Sequence, residues 1–182
     1  DASMQLAKEK GAYRLFEGSE WQTGEYIKRR HYKTTDELDW DRLQADITAY
    51  GMRNAYLMAV APNSSTAIIA GSTASIDPIY KKVYSEEKKN YKIPVTVPDL
   101  TPETNWFYKS AFEIDQLWSI RQNASRQRHI DQAISFNLYV KNNVKAKELL
   151  EMHMEAWQLG MKTIYYTRST TVEIDECESC SS

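Results

Sequence analysis

The sequence predicts an α/β fold, because its apolar segments have the lengths and order of strands and helices in a parallel sheet. Residues 55–61 form a short, almost wholly apolar run, which is typical of a strand buried on both faces. Residues 133–140 alternate apolar with small or polar side chains, as a strand does. An amphipathic segment from Lys145 to Gly160 and an apolar one over 163–167 follow, which gives the strand, helix and strand order of a βαβ unit.

Length and charge narrow the range of functions. The chain has 182 residues, enough for one domain with a real core. Its net charge of -2 gives no electrostatic argument for nucleic acid or an anionic membrane, and the basic run at residues 28–30 is expected to be a solvated loop. No apolar run approaches the ~20 residues that span a bilayer, and the amino terminus lacks a signal-peptide pattern. We therefore expect a cytoplasmic protein without nucleic-acid or membrane partners.

The amino-terminal part predicts helices separated by a loop. A first helix is expected to end at Gly11, and a loop-rich aromatic stretch follows as far as Tyr32. Capping residues over 34–39 then precede apolar residues at helical spacing, and this second helix is expected to end at Gly51.

A polar loop follows the first predicted strand and precedes a segment, 67–70, that can open a helix. Backbone N–H groups and hydroxyls at a junction between a strand and a helix can hold a phosphate. A plain polar loop with a helix cap is the alternative. The loop residues are Pro62, Asn63, Ser64, Ser65 and Thr66.

The middle of the chain predicts a surface excursion and then a helix. Residues 80–90 are charged, and three prolines make the next segment extended. A start signal at Thr101 leads into a helical region running towards Arg128. The later helix, from Lys145 to Gly160, offers an apolar face made of Leu149, Met152, Met154, Ala156 and Leu159.

Two kinds of redox-capable side chain lie near the carboxyl end. Tyr165 and Tyr166 are adjacent, and they either form a pair that passes an electron with its proton or lie on opposite faces of an ordinary strand. Cys177 and Cys180 are the only cysteines, so no disulfide framework holds the core. A zinc site would need two more ligands, and the histidines lack metal-binding spacing. The polar surroundings predict a mobile arm that carries a dithiol, and no metal site.

Several short motifs in order resemble the carboxy-terminal part of the large catalytic subunit of class I ribonucleotide reductases. The resemblance covers almost the whole chain. It implies a ten-stranded α/β barrel that reduces ribonucleotides by radical chemistry, with residues 1–168 forming the carboxy-terminal part of that barrel and residues 169–182 a flexible redox tail. The motifs are Arg53-Asn54, residues 61–67, 75–78, 129–137 and 160–166, and Cys177-x-x-Cys180.

The resemblance also implies roles for single residues. The loop from Pro62 to Thr66 matches the family's substrate-phosphate loop, in which Asn63, Ser64, Ser65 and Thr66 would bind a diphosphate or triphosphate. Tyr165 and Tyr166 match the stacked pair that relays oxidation from a metal-containing small subunit to a cysteine in the barrel. Cys177 and Cys180 match the pair that reduces the active-site disulfide and is itself reduced by thioredoxin or glutaredoxin. No cofactor is expected on this chain itself.

The family's chemistry needs cysteines that lie upstream of the matched region, and the chain has none outside positions 177 and 180. We therefore expect no activity from the chain alone. The expected partners are an amino-terminal portion of the large subunit, the small subunit, and a ribonucleotide. A natively divided subunit and an experimental fragment both fit this pattern. A non-catalytic module that binds nucleotide or docks thioredoxin is the alternative function.

Overall fold

The computed structural model describes residues 1–88 and 91–170. The chain divides into two compact units, one from Asp1 to Met58 and the other beginning at Ala59, and each has its own hydrophobic cluster. The division into a barrel part, 1–168, and a tail, 169–182, stays a prediction, because residues 171–182 lie outside the described ranges.

The first unit is helical. Its core consists of Met4, Trp21, Ile47 and Met52. Both helix ends predicted from glycine are confirmed, since Gly11 and Gly51 follow the first and last helices of this unit. The helices are α1 (Ala2–Lys10), α2 (Glu20–Thr23), α3 (Glu25–Arg29) and α4 (Trp40–Tyr50).

Local signals explain the bounds of α4. The Asp39 carboxylate accepts a hydrogen bond of 2.9 Å from the N–H of Arg42, which caps the first turn. Gly51 ends the helix with φ of 82°, and a Cβ there would lie 2.5 Å from the Cβ of Ala12. Only glycine therefore fits both the backbone conformation and the space at this position.

The second unit mixes strands and helices. Its 3₁₀ turns span Asn105–Phe107 and Ala111–Glu113. The regular elements are α5 (Ser64–Ile69), β1 (Val83–Lys88), β2 (Tyr91–Thr96), α6 (Gln116–Gln127), β3 (Leu138–Val140), α7 (Ala146–Gln158) and β4 (Thr167–Ser169).

The βαβ order predicted near the carboxyl end is confirmed, but its last strand begins at Thr167, so the strand predicted over 163–167 is displaced towards the carboxyl end. Strands β3 and β4 pair in parallel, with Tyr139 opposite Arg168, and α7 connects them. Val60 forms a parallel bridge with Ile134 on the other side of this segment. Residues 133–140 therefore lie between two parallel neighbours, as expected of a barrel strand.

The core of the second unit lies between this sheet and helices α6 and α7. Phe136 and Leu138 have no exposed surface and belong to one cluster with Ile120 of α6 and Ala156 of α7. Because side chains alternate along an extended chain, Asn137 and Tyr139 face away from this core. The opposite side of the sheet thus carries polar groups that are available for chemistry.

The strand predicted over 55–61 is wrong in its extent and in its burial. In the part of the chain that the structure describes, this run forms a β-bridge at Val60 and no regular strand. Tyr56, Leu57 and Met58 are 67%, 46% and 54% exposed. The apolar composition of this run does not by itself predict a buried strand, because such a strand also needs neighbouring strands on both sides and a packed layer over each face.

The region between α5 and α6 also differs from the sequence prediction. The excursion over 80–102 contains an antiparallel hairpin, in which Val83 of β1 pairs with Thr96 of β2. The helix start predicted at Thr101 is instead a turn, in which the Asn105 N–H donates a hydrogen bond to the Thr101 carbonyl. Helix α6 begins only at Gln116, after the cap formed by Asp115.

The predicted helix α7 is confirmed, but its buried face is narrower than expected. Ala156 is buried, and Leu149 and Met152 pack against the core. Met154 and Leu159 are exposed by 41% and 44%, because the sheet reaches only one side of the helix. None of the helices within 1–88 and 91–170 is both long and apolar enough to cross a membrane.

Candidate functional site

The predicted phosphate loop opens a helix earlier than expected. Helix α5 begins at Ser64, and Asn63 is its amino-terminal cap residue without a capping hydrogen bond from its side chain. Ser64, Ser65 and Thr66 therefore form the first turn, where backbone N–H groups lack acceptors within the helix. These donors and the three hydroxyls are concentrated on one short segment.

A cleft of about 430 Å³ lies beside this turn. Asn63 and Thr66 line it on one side, and residues from the segment 72–76 line it on the other. Pro62, Ser64 and Ser65 belong to the same loop but do not line the cleft. Ser75 has φ of 64°, an uncommon conformation for serine, and its hydroxyl oxygen is buried without a hydrogen-bond partner among the described residues.

Tyr165 and Tyr166 contact each other through their rings. The ring centroids are 4.2 Å apart, the planes are inclined by 52°, and the side chains are 53% and 49% exposed. Neighbouring residues in a regular strand would point to opposite faces. The pair lies just before β4, and its backbone is held by Phe136 and Leu138 through hydrogen bonds of 2.8 Å. The alternative with one tyrosine on each face is therefore wrong.

The contact between the two tyrosines also changes the acid–base behaviour of Tyr165. A hydrogen bond with Tyr166, followed by the charge that Tyr166 would carry when ionised, raises the pKa of Tyr165. The nearby Arg168 acts in the opposite direction on the same pKa. The ring contact places two redox-capable phenols next to each other.

A buried polar cluster lies on the sheet face that points away from the core. The Asp77 carboxylate accepts hydrogen bonds from the Asn137 backbone N–H at 3.1 Å and from the Asn137 side-chain amide at 2.5 Å. The Tyr139 hydroxyl lies 3.5 Å from the same carboxylate. Burial raises the pKa of Asp77, and burial together with the Asp77 charge raises the pKa of Tyr139.

Arg168 lies between this cluster and the tyrosine pair. It is the strand neighbour of Tyr139, and its guanidinium carbon is 5.4 Å from the ring centre of Tyr166. Its charge lowers the pKa of Asp77 and of Tyr139, although burial outweighs that effect for both groups. Sequence reasoning did not identify Asp77 or Arg168 as functional residues. Asp77 lies in the motif at residues 75–78, but no role was assigned to it, and Arg168 lies in none of the motifs.

The remaining predicted site residues fall outside the described part of the chain. Cys177 and Cys180 belong to residues 171–182, so their role stays a prediction. Within 1–88 and 91–170, no group of three or more histidine, cysteine, aspartate or glutamate side chains is placed to hold a metal ion.

Comparison with known proteins decides the family. The family model for the ribonucleotide reductase barrel domain matches residues 1–167. The chain belongs to the ribonucleotide reductase barrel-domain family. The predicted fold class is thereby confirmed, and the parallel strands β3 and β4 with their helices are part of an α/β barrel.

The relatives agree with this assignment. The chain is 50% identical over 182 residues to the ribonucleoside-diphosphate reductase subunit alpha of Treponema pallidum, covering 100% of the chain and 21% of the relative. The corresponding Helicobacter pylori subunit is 44% identical, with 97% of the chain and 24% of the relative covered. The Bacillus subtilis subunit is 33% identical, with 98% and 28% covered. The chain thus spans only about a fifth to a quarter of the length of these curated relatives.

A solved structure supports the fold. The class Id ribonucleotide reductase alpha subunit of Actinobacillus ureae matches with a TM-score of 0.60 and 24% identity, covering 97% of this chain and 32% of that chain. At this level of identity the match supports the shared fold only.

Proposed function

We propose that the chain is the carboxy-terminal portion of a ribonucleoside-diphosphate reductase catalytic subunit, which reduces ribonucleotides to deoxyribonucleotides by radical chemistry. The contact between the Tyr165 and Tyr166 rings is the observation that carries this proposal, because a binding module has no use for two half-exposed tyrosine rings in contact. The relatives bear the name of this reductase, which favours diphosphates as substrates.

The phosphate groups would bind at the start of α5. The N–H groups and hydroxyls of the first turn offer uncharged donors, and the positive end of the helix dipole favours an anion. Asn63 and Thr66 line the adjoining cleft, so they would contact the substrate from the cleft side. Pro62 would fix the loop, and Ser64 and Ser65 would donate from the helix turn.

The tyrosine pair would transfer oxidation towards the substrate. Tyr166 would lie nearer the small subunit and Tyr165 nearer the substrate. An oxygen-centred radical on Tyr166 would take one electron and one proton from the Tyr165 hydroxyl, leaving Tyr166 as a phenol and Tyr165 as the radical. Oxidation makes a phenol proton very acidic, and the contact between the two rings supports the joint transfer.

The two cysteines would return electrons after each turnover. A thiolate of Cys177 or Cys180 would attack the active-site disulfide, and the second cysteine would release the reduced dithiol by forming the Cys177–Cys180 disulfide. Thioredoxin or glutaredoxin would then reduce that disulfide. A cytoplasmic location belongs to this proposal, because such exchange requires a reducing compartment.

Other chains would complete the enzyme. The amino-terminal portion of the large subunit would supply the active-site cysteines, and the metal-containing small subunit would supply the radical. Catalysis would therefore need this chain, that portion, the small subunit and a thioredoxin system together.

The test of the radical role is Tyr165→Phe and Tyr166→Phe in that reconstituted enzyme. Turnover should fall by about 10²-fold or more in each, as expected for loss of a proton-transfer partner. Nucleotide affinity, measured by equilibrium dialysis, should stay unchanged. Tyr108→Phe is the matched control, because its hydroxyl donates a 2.6 Å hydrogen bond to the Pro98 carbonyl outside the pair. Unchanged turnover in Tyr166→Phe would remove the radical assignment and leave the nucleotide-binding alternative.

The thiol role has a separate test. Cys177→Ser and Cys180→Ser should each stop turnover driven by thioredoxin, because a lone thiol cannot form the pair's disulfide. Turnover driven by a small dithiol that reaches the active site directly should be largely kept. Equal losses with both reductants would count against a thiol shuttle.

A further inference from the structure

Arg168 carries a positive charge to the edge of the tyrosine pair. In the parallel pairing of β3 with β4, Arg168 is the partner of Tyr139. Because side chains alternate between the two faces of a sheet, the side chains of these two partners lie on the same face. Its guanidinium carbon is 5.4 Å from the Tyr166 ring centre, within the range of a cation–π contact. Its Nε is buried and has no hydrogen-bond partner in the described part of the chain.

The cluster of Asp77, Asn137 and Tyr139 gives a reason for the position of the Arg168 guanidinium. Asp77 is only 7% exposed, and a buried carboxylate is costly unless hydrogen bonds or an opposite charge compensate it. Asn137 supplies two hydrogen bonds, and Arg168 supplies the opposite charge at longer range. Within 1–88 and 91–170, the side-chain oxygen of Asn137 is itself buried without a hydrogen-bond partner.

The same charge acts on the tyrosines. A nearby cation disfavours any intermediate in which a ring has lost an electron but kept its proton, because that ring is positively charged. It also favours the ionised phenol, which is the direction in which Arg168 moves the pKa of Tyr165. Both effects disfavour loss of the electron while the proton stays on the ring, because they favour states from which the proton has left.

We propose that Arg168 is a positioning residue of the tyrosine pair, anchored by the buried Asp77–Asn137–Tyr139 cluster, which holds the Tyr166 ring and keeps electron and proton transfer joined. This inference rests on the proposed radical-transfer function. Arg168 gains and loses no electron or proton in the step, and its contribution is its charge and its position.

The experiment uses Arg168→Gln in the reconstituted enzyme. We expect kcat to fall about tenfold, equivalent to about 1.4 kcal/mol, with KM for the nucleotide unchanged. Arg121→Gln is the matched control, because its guanidinium carbon also lies 5.4 Å from an aromatic ring, that of Trp118 on the outer helix α6. A loss of the same size in Arg121→Gln would overturn the inference.

A spectroscopic readout separates charge from structure. A nitrotyrosine placed at position 165 reports its own pKa by visible absorbance, and Arg168→Gln should raise that pKa. Arg168→Lys should keep the pKa near that of wild type but restore kcat only in part, since an ammonium lacks the planar group that stacks on a ring. An unchanged pKa in Arg168→Gln would overturn the proposed electrostatic role.

A double-mutant cycle tests the anchor. Asp77→Asn should lower kcat in the same direction as Arg168→Gln, and the double variant should fall little further, because both changes interrupt one arrangement. Additive losses would contradict the anchoring role.

These outcomes are distinguishable from failure of the proposed function. If Tyr166→Phe keeps full turnover, the radical assignment fails, whatever Arg168 does. If Tyr166→Phe is inactive while Arg168→Gln behaves like Arg121→Gln, only the inference about Arg168 fails.

Discussion

Asp77 is a buried acid, and its surroundings disfavour the ionised form of its carboxyl group. Desolvation raises its pKa, and the Asn137 hydrogen bonds and the Arg168 charge offset this effect only in part. A carboxyl group with a higher pKa in the folded than in the unfolded state stabilises the fold most at low pH. That contribution is lost as pH rises through the folded-state pKa.

This sign gives a prediction for Asp77→Asn, which cannot ionise. The free energy of unfolding of the wild type, relative to that of the variant, should increase as pH falls from neutrality into the acidic range. Each unit of pKa difference corresponds to about 1.4 kcal/mol. Urea unfolding of both proteins across this range provides the measurement, and a difference that stays constant with pH would contradict the raised pKa.

The site residues differ in how far the sequence could predict them. Asn63 and Thr66 were predictable because a polar loop between a strand and a helix is a local pattern. Asp77 and Asn137 are 60 positions apart, so their hydrogen bonds exist only after the strand and the preceding loop have packed together. Arg168 near Tyr166 depends on strand register, which a single sequence does not specify without its neighbours.

At the scale of secondary-structure elements, local sequence signals predicted helix ends reliably, whereas the pairing of strands could not be predicted as reliably. Helix α4 has its cap and its terminal glycine within the segment itself, and both were predicted. The β1–β2 hairpin was missed because charges and Pro94 suggested an exposed extended chain, although a two-stranded hairpin tolerates both. The run over 55–61 was predicted as a strand from composition, whereas in the described ranges it forms a bridge at Val60 and no regular strand.

The packing of β3 against α6 and α7 gives a second stability prediction. Phe136 has no exposed surface in the cluster between the sheet and these helices. Phe136→Ala should lower the free energy of unfolding by about 3–5 kcal/mol, because it leaves a cavity. Trp157→Ala on α7 is the control, since this side chain is 72% exposed and its loss should change stability by about 0.5 kcal/mol or less. Equal effects in chemical denaturation would show that this cluster is not the core of the unit.

At the scale of the whole molecule, the chain combines the proposed phosphate-binding turn, a tyrosine pair and two cysteines but lacks the other cysteines of the proposed reaction. Its relatives are several times longer, and their remaining length is the natural source of those groups. The exposed run at residues 56–58 fits this view, because apolar side chains in a barrel strand are covered on both faces when the barrel is complete.

The proposed assembly with the amino-terminal portion of a large subunit should therefore depend on this run. Tyr56→Glu should leave the stability of the chain itself nearly unchanged, because the side chain is 67% exposed. It should weaken assembly more than about tenfold, since burying an unpaired carboxylate costs more than about 1.4 kcal/mol. Leu15→Glu is the control, as Leu15 is 72% exposed and lies outside the run. Sedimentation equilibrium gives the dissociation constant of the assembly for each variant. Equal dissociation constants for the two variants would contradict the prediction and place residue 56 on the outer surface of the assembled enzyme.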